Sequence, residues 1–196
     1  MASATPALKT SPLQPDDWIR AAFARLATEG IDAVRVELLA RDLGVSKGSF
    51  YWHFRDRGEL LEKLLTRWED AEIDWLNAEA AAGAATRWAN FVARAVDADR
   101  MRLEVSLRAW ARADERVAGR VAAVEKRKSR LIADVLREIG FTQSAADSWS
   151  DVAQLICLGW LDRATRDRQF EGSGRNLGEL LSEFILAASA RGSARE

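Results

Sequence analysis

The sequence predicts an all-α protein, and three observations predict it. Its only prolines, Pro6, Pro12 and Pro15, fall in the first fifteen of 196 residues, so the rest of the chain is free of the strongest helix breaker. Nowhere do apolar and polar residues alternate long enough to propose a strand. Apolar residues recur instead at steps of three and four, in a chain 48% hydrophobic and 30% charged, a balance that excludes disorder.

Taken in order, residues 1–14 read as a flexible arm, 15–57 as a compact head, 58–190 as a larger helical body and 191–196 as a tail. The first helix is expected from Pro15 to Thr28, where Trp18, Ile19, Ala22, Phe23 and Leu26 share a face and Gly30 suits the stop. A short helix follows over Val36–Leu43, and a third over Ser46–Phe54. The fourth opens at "DRGELL", where Asp56 is placed to cap and Glu59 to complete a capping box. Its stripe of Leu60, Leu61, Leu64, Leu65, Trp68, Trp75 and Leu76 runs to about Glu79. Five further helices are expected near 85–97, 100–112, 114–139, 145–168 and 176–190, separated by short polar stretches.

The chemistry concentrates in "GVSKGSFYWHFRDRGEL", which holds the only tyrosine and the only histidine of the chain. In "VELLARDLGVSKGSFYWHF" the spacing fits a helix-turn-helix. Leu39 and Leu43 supply an inner face, Ala40 is small where helices meet, Gly44 permits the left-handed turn, and Val45 and Phe50 fill the angle. At about 100° per residue Phe50 and Phe54 face inward, leaving Trp52 outside beside Lys47, Ser49, Tyr51 and His53. Lys47 and Ser49 suit base edges or phosphates, Tyr51 and His53 phosphate oxygens, and Trp52 sugars or thymine methyls, while Gly48 lets the backbone approach. The alternative is an aromatic cluster packed against the body.

Between Arg41 and Arg57 the cations exceed the carboxylates by two, although the whole chain carries only -1; attraction to nucleic acid must therefore be local. Cys157 is the lone cysteine, which excludes an internal disulfide and a cysteine-cluster metal site, and its apolar setting reads as core. No cofactor or metal is expected. With one His, one Cys and no phosphate-cradling glycine loop, an enzyme is the weakest reading. The absence of a signal-like or membrane-length apolar run points to a cytoplasmic protein.

From Trp18 to Leu65 the residues "AAFARLATEG" and "LLARDLGVSKGSFYWHFRDRGELL" resemble the DNA-binding domain of TetR-type (tetracycline repressor-like) transcriptional regulators; "YWHF" with the basic residue before "ELL" is the most specific part. The resemblance implies a homodimer whose third helices enter major grooves of a palindromic double-stranded operator, and a small-molecule pocket in the body. Carried over by position, Lys47, Gly48 and Ser49 face bases, Tyr51, Trp52 and His53 face bases or backbone, and Arg57 faces phosphate. Two positions depart. Val36 stands where a Ser or Thr cap is usual, at a loss of about 1 kcal/mol and one phosphate contact, for which Arg35 is the substitute; Glu37 stands where a base is common.

In the body, Trp149, Val152, Ile156, Gly159 and Trp160 line one apolar face, and Leu177, Leu181 and Phe184 another. Such faces suit a four-helix dimer interface or burial within one subunit, and the resemblance favours the dimer. Trp68, Trp88, Phe91, Met101, Leu107 and Trp110 are the candidates to line a cavity for an apolar or aromatic effector, with Arg102 and Arg108 available to an acidic one. "EKRKSR", Glu125–Arg130, reads as the wet face of a long helix. The expected function is a repressor released by a small molecule; the alternatives are an activator or a ligand-independent DNA binder.

Overall fold

A computed structural model describes residues 13–166, 178–179 and 181–183. Among them every regular element is helical: α1 (Pro15–Glu29), a 3-10 turn (Ile31–Ala33), α2 (Val36–Leu43), α3 (Lys47–Phe50), α4 (Arg57–Glu79), α5 (Ala84–Ala95), α6 (Ala98–Ala111), α7 (Glu115–Glu138) and α8 (Gln143–Arg166). The all-α expectation is what the fold shows. The expected last helix lies mostly outside the described residues, although 178–179 and 181–183 are helical.

Helix ends follow from local chemistry. Gly30, at φ +82°, stops α1 by returning its N–H to the Leu26 carbonyl. Gly44, at φ +69°, takes the left-handed conformation that ends α2, and Val45 N–H reaches back to the Ala40 carbonyl at 3.0 Å. At both turns a side chain would be strained. The Asp56 carboxylate accepts from Glu59 N–H at 2.9 Å, whereas the Glu59 carboxylate accepts from Arg55 N–H at 2.8 Å. The capping box is thus displaced by one residue from its expected partner.

Three expectations change. The third helix is only four residues long and passes at Tyr51–His53 into a turn, with Phe54 N–H still bonded to the Phe50 carbonyl at 3.0 Å. So short an element carries little macrodipole. Val36 does not cap α2; Arg35 holds the cap position without a side-chain bond, and Val36 is buried in the core as the first helical residue. Finally, the boundary at residue 57 is not a break in packing. One apolar core joins Trp18, Leu39, Phe50 and Phe54 of the head to Leu60, Leu64, Trp68, Leu107, Trp110, Val117, Val121 and Val124 of the body.

A second cluster, with Phe91, Ile132, Leu136, Ala153 and Leu181 buried and Trp88, Trp149 and Ile156 packed against it, ties α5, α7 and α8 together. Met101, Trp160, Leu161 and Ala164 form a third. Of the candidate dimer residues, Trp160 and Leu181 are therefore seated inside the chain's own core, and Trp149 and Ile156 pack inward in part. Val152 is half-buried and Gly159 exposed, beside Leu155 at 66% exposure. Leu177 and Phe184 lie outside the described residues. The reason is geometric: α8 is wrapped on several sides, so a broad apolar face serves intrachain packing first.

Candidate nucleic-acid interface and body cavity

Phe50 and Phe54, fully buried, stack at 5.2 Å, and Trp18 meets Phe50 edge-on at 5.3 Å. This aromatic floor spends the apolar side of α3 on the core. What remains stands above it: Trp52 is 87% exposed and Tyr51 55%. Indoles and phenols are seldom left so open unless a partner covers them. Lys47, Gly48 and Arg35 are also exposed, and Ser49 and His53 half-buried.

Two of the charges around this ridge are engaged. Lys47 is ion-paired to Glu37 of α2. The hydrogen bond between them raises the lysine's pKa and lowers the carboxyl's. Glu37 thus occupies the cation that the sequence assigned to bases or phosphate, a pairing hidden from periodicity because it joins two elements. Arg57 is turned inward, its guanidinium donating to the carbonyls of Val34 at 2.6 Å and Ile31 at 2.8 Å. Its charge pins the 3-10 turn to α4, so its seat is structural where phosphate contact was expected.

The body holds a half-open cavity of about 80 Å³, lined by Trp75, Phe91, Arg94, Ala95, Arg100, Met101, Glu104, Arg108, Lys128, Gln154, Cys157, Leu158 and Leu161. Of the six expected pocket residues it contains Phe91 and Met101. Trp68, Leu107 and Trp110 belong to the head-to-body core, and Trp88 packs in the second cluster and donates its indole N–H to Ser182 at 2.7 Å. Arg108 lines the cavity, whereas Arg102 is paired with Asp99 on the surface.

Apart from Arg108, the charged side of the cavity is not foreseen from the sequence, and it gathers around one buried carboxylate. Glu72 of α4 is 1% exposed and is held by Arg94 of α5 at 2.8 Å, by Arg100 of α6 and by Lys128 of α7 at 3.1 Å. Burial is the largest single influence on its carboxyl and pushes the pKa up, but Lys128, Arg100 and Arg94 together outweigh it and hold the value at about 2. Burial likewise dominates at Arg94, lowering its pKa. The Cys157 thiol is pushed up to about 11 by burial against a weaker pull from Lys128, so it stays protonated. A signal did exist: Glu72 lies four residues from both Trp68 and Leu76, within the apolar stripe of α4. Lys128 interrupts the Val117, Val121, Val124, Leu131 stripe of α7 in the same way. Among the described residues no cluster of His, Cys, Asp and Glu has metal-binding geometry, and no helix is long and apolar enough to cross a membrane.

Residues 19–64 match the family model of bacterial regulatory proteins of the tetR family. Over 52 residues the chain is 44% identical to the class A tetracycline repressor protein of transposon 1721 from Escherichia coli, a match covering 26% of this chain and 24% of that repressor. Over residues 19–64, then, the head is similar to the TetR family. Beyond the head the likeness is one of overall fold: a putative transcriptional regulator from Saccharomonospora viridis solved in complex with choline superimposes with a TM-score of 0.74 at 19% identity, over 87% of this chain and 94% of that one. A transcriptional regulator from Rhodococcus sp. Rha1 gives 0.72 at 18% identity, over 90% and 97%. At such identities the likeness establishes the fold.

Proposed function

We propose that this protein is a TetR-type repressor that binds a palindromic operator as a homodimer and is released by a small organic effector. The observation that carries the DNA reading is the orientation of one short segment: Phe50 and Phe54 sealed inside, Trp52 and Tyr51 in solvent, within the stretch that matches the family. The Gly48 backbone and the Lys47, Ser49 and His53 side chains complete a convex reader for a major groove, with Arg35 at its edge. Two such readers in a two-fold dimer meet half-sites roughly 34 to 36 Å apart.

Release follows from the shared core. α4 runs without interruption from the head at Arg57, past Glu72, to the cavity wall at Trp75, and α6 carries both Arg100 at the cavity and Leu107 and Trp110 beneath the head. A ligand that prefers one arrangement of these helices alters the spacing of the heads; a hundredfold loss of DNA affinity needs about 2.7 kcal/mol of such coupling. The choline held by the Saccharomonospora viridis neighbour supports a small organic molecule as the class of effector.

The test is selection of bound duplexes from genomic DNA, beginning with the sequence flanking the gene. A palindromic duplex retained with affinity that falls steeply in salt is expected. Retention without sequence preference, or none at all, sinks the reading.

A further inference from the structure

Charge in the body cavity is lopsided. Four cations, Arg94, Arg100, Arg108 and Lys128, reach its wall, against the single lining carboxylate of Glu104. Glu72 sits behind them, sealed from solvent, and Glu125 engages Arg108 from the side. Even with all three carboxylates counted, one positive charge is left over. The network is also imperfectly closed: the Nε–H groups of Arg94 and Arg108 are buried without hydrogen-bond acceptors, and Glu72 Oε2 and Glu125 Oε1 without hydrogen-bond donors, so a ligand carboxylate that rearranges it can relieve part of that cost. Apart from Gln154 the rest of the wall is apolar, and of its two aromatic side chains, Trp75 and Phe91, the indole, the better seat for a cationic ligand, is taken, because the Arg94 guanidinium lies 4.4 Å over the Trp75 ring.

We infer that the cavity takes a compact organic carboxylate, whose anionic end competes with Glu72 for Arg94, Arg100 and Lys128 while its apolar body packs on Met101, Phe91 and Leu161. This rests on the effector-release reading given above and specifies its ligand. Glu72 is the part of α4 that these cations grip, so any anion that draws them away loosens the hold of α5, α6 and α7 on the helix leading into the head. An ionised Glu72 repels the ligand's carboxylate, and each therefore weakens the other's hold on the same cations.

Titration calorimetry of the full chain with benzoate, 3-phenylpropionate and hexanoate, each against its amide, and with benzyltrimethylammonium tests this. At least one acid is expected to bind, with its amide weaker by about tenfold or more, and to lower affinity for the selected duplex. Glu72→Gln is expected to tighten that acid by about tenfold, because the competing charge is gone. If melting shows that Glu72→Gln does not fold, Arg108→Gln replaces it and is expected to weaken the acid while leaving the amide unchanged. Amides equal to acids, the ammonium binding best, no acid bound at about 10 mM, or an acid weakened by Glu72→Gln each overturn the inference. Duplex binding without ligand is scored separately: if it persists while the acids fail, only the ligand class falls, and if it is absent the DNA reading falls first.

Discussion

In the head, two phenylalanines and a tryptophan fill the interior while another tryptophan stands in water; at the centre of the body a carboxylate is sealed among two arginines and a lysine. The head's ion pairs, Arg25 with Asp42 and Lys47 with Glu37, lie toward the surface, where such pairs add little stability. The body has surface pairs as well, such as Arg102 with Asp99, but its distinctive group surrounds Glu72, where removing the cations would strand a buried carboxylate. An exposed aromatic and a buried charge are both unfavourable arrangements for an isolated chain. The comparison teaches that both stand where the proposed function would use them, DNA at the ridge and an effector at the cavity.

The contrast is sharpest at neighbouring positions of one segment. Phe50→Ala should cost about 3–5 kcal/mol in denaturant unfolding, through a cavity beneath α3, whereas Trp52→Ala should stay within about 0.5 kcal/mol of the parent and lose DNA affinity. Equal destabilisation by both would mean that Trp52 is a packing residue.

In the body, acid should act through Glu72. Its folded pKa, about 2, lies below its unfolded value near 4.5, so the stabilisation is full above the unfolded pKa and disappears as pH falls toward the folded one. A contribution on the order of 3 kcal/mol should be lost between about pH 4.5 and 2. Unfolding measured across that window should show a flatter acid limb in Glu72→Gln than in the parent.

Arg57 joins the two regions. Arg57→Gln should lower stability by about 1.5–3 kcal/mol, the worth of hydrogen bonds from a charged donor, measured in denaturant. A variant that loses DNA binding at unchanged stability would return this arginine to the phosphate backbone.

The smallest effect belongs to the surface. Glu37→Gln should free Lys47, tighten duplex binding several-fold and steepen the logarithmic salt slope by about one. An unchanged slope would show that Lys47 does not reach DNA.

Much of the head could be read from sequence because its determinants are local. Leu39, Leu43, Phe50 and Phe54 are neighbours on helical periods, Gly44 and Gly30 mark their turns, and the outward position of Trp52 follows from where Phe50 points. The cavity was harder, since its wall draws on α4, α5, α6, α7 and α8, and no period within one helix says which residues of another will face it. Trp68 and Trp110 show a helical period that fits a core as well as a pocket wall, and in the structure that face packs toward the head. Glu72 and Lys128 broke their apolar stripes visibly, yet only their meeting gives the breaks a meaning.

By itself, then, the sequence determined the helices, their stops and the ridge of the head, because helical propensity, capping and amphipathic period act over a few residues. Only the tertiary structure decided that Arg57 turns inward, that Glu37 engages Lys47, that head and body share one core and that four cations converge on a cavity. Each of these depends on contacts between side chains distant along the chain, whose strength is set by burial, and burial exists only once the helices have packed.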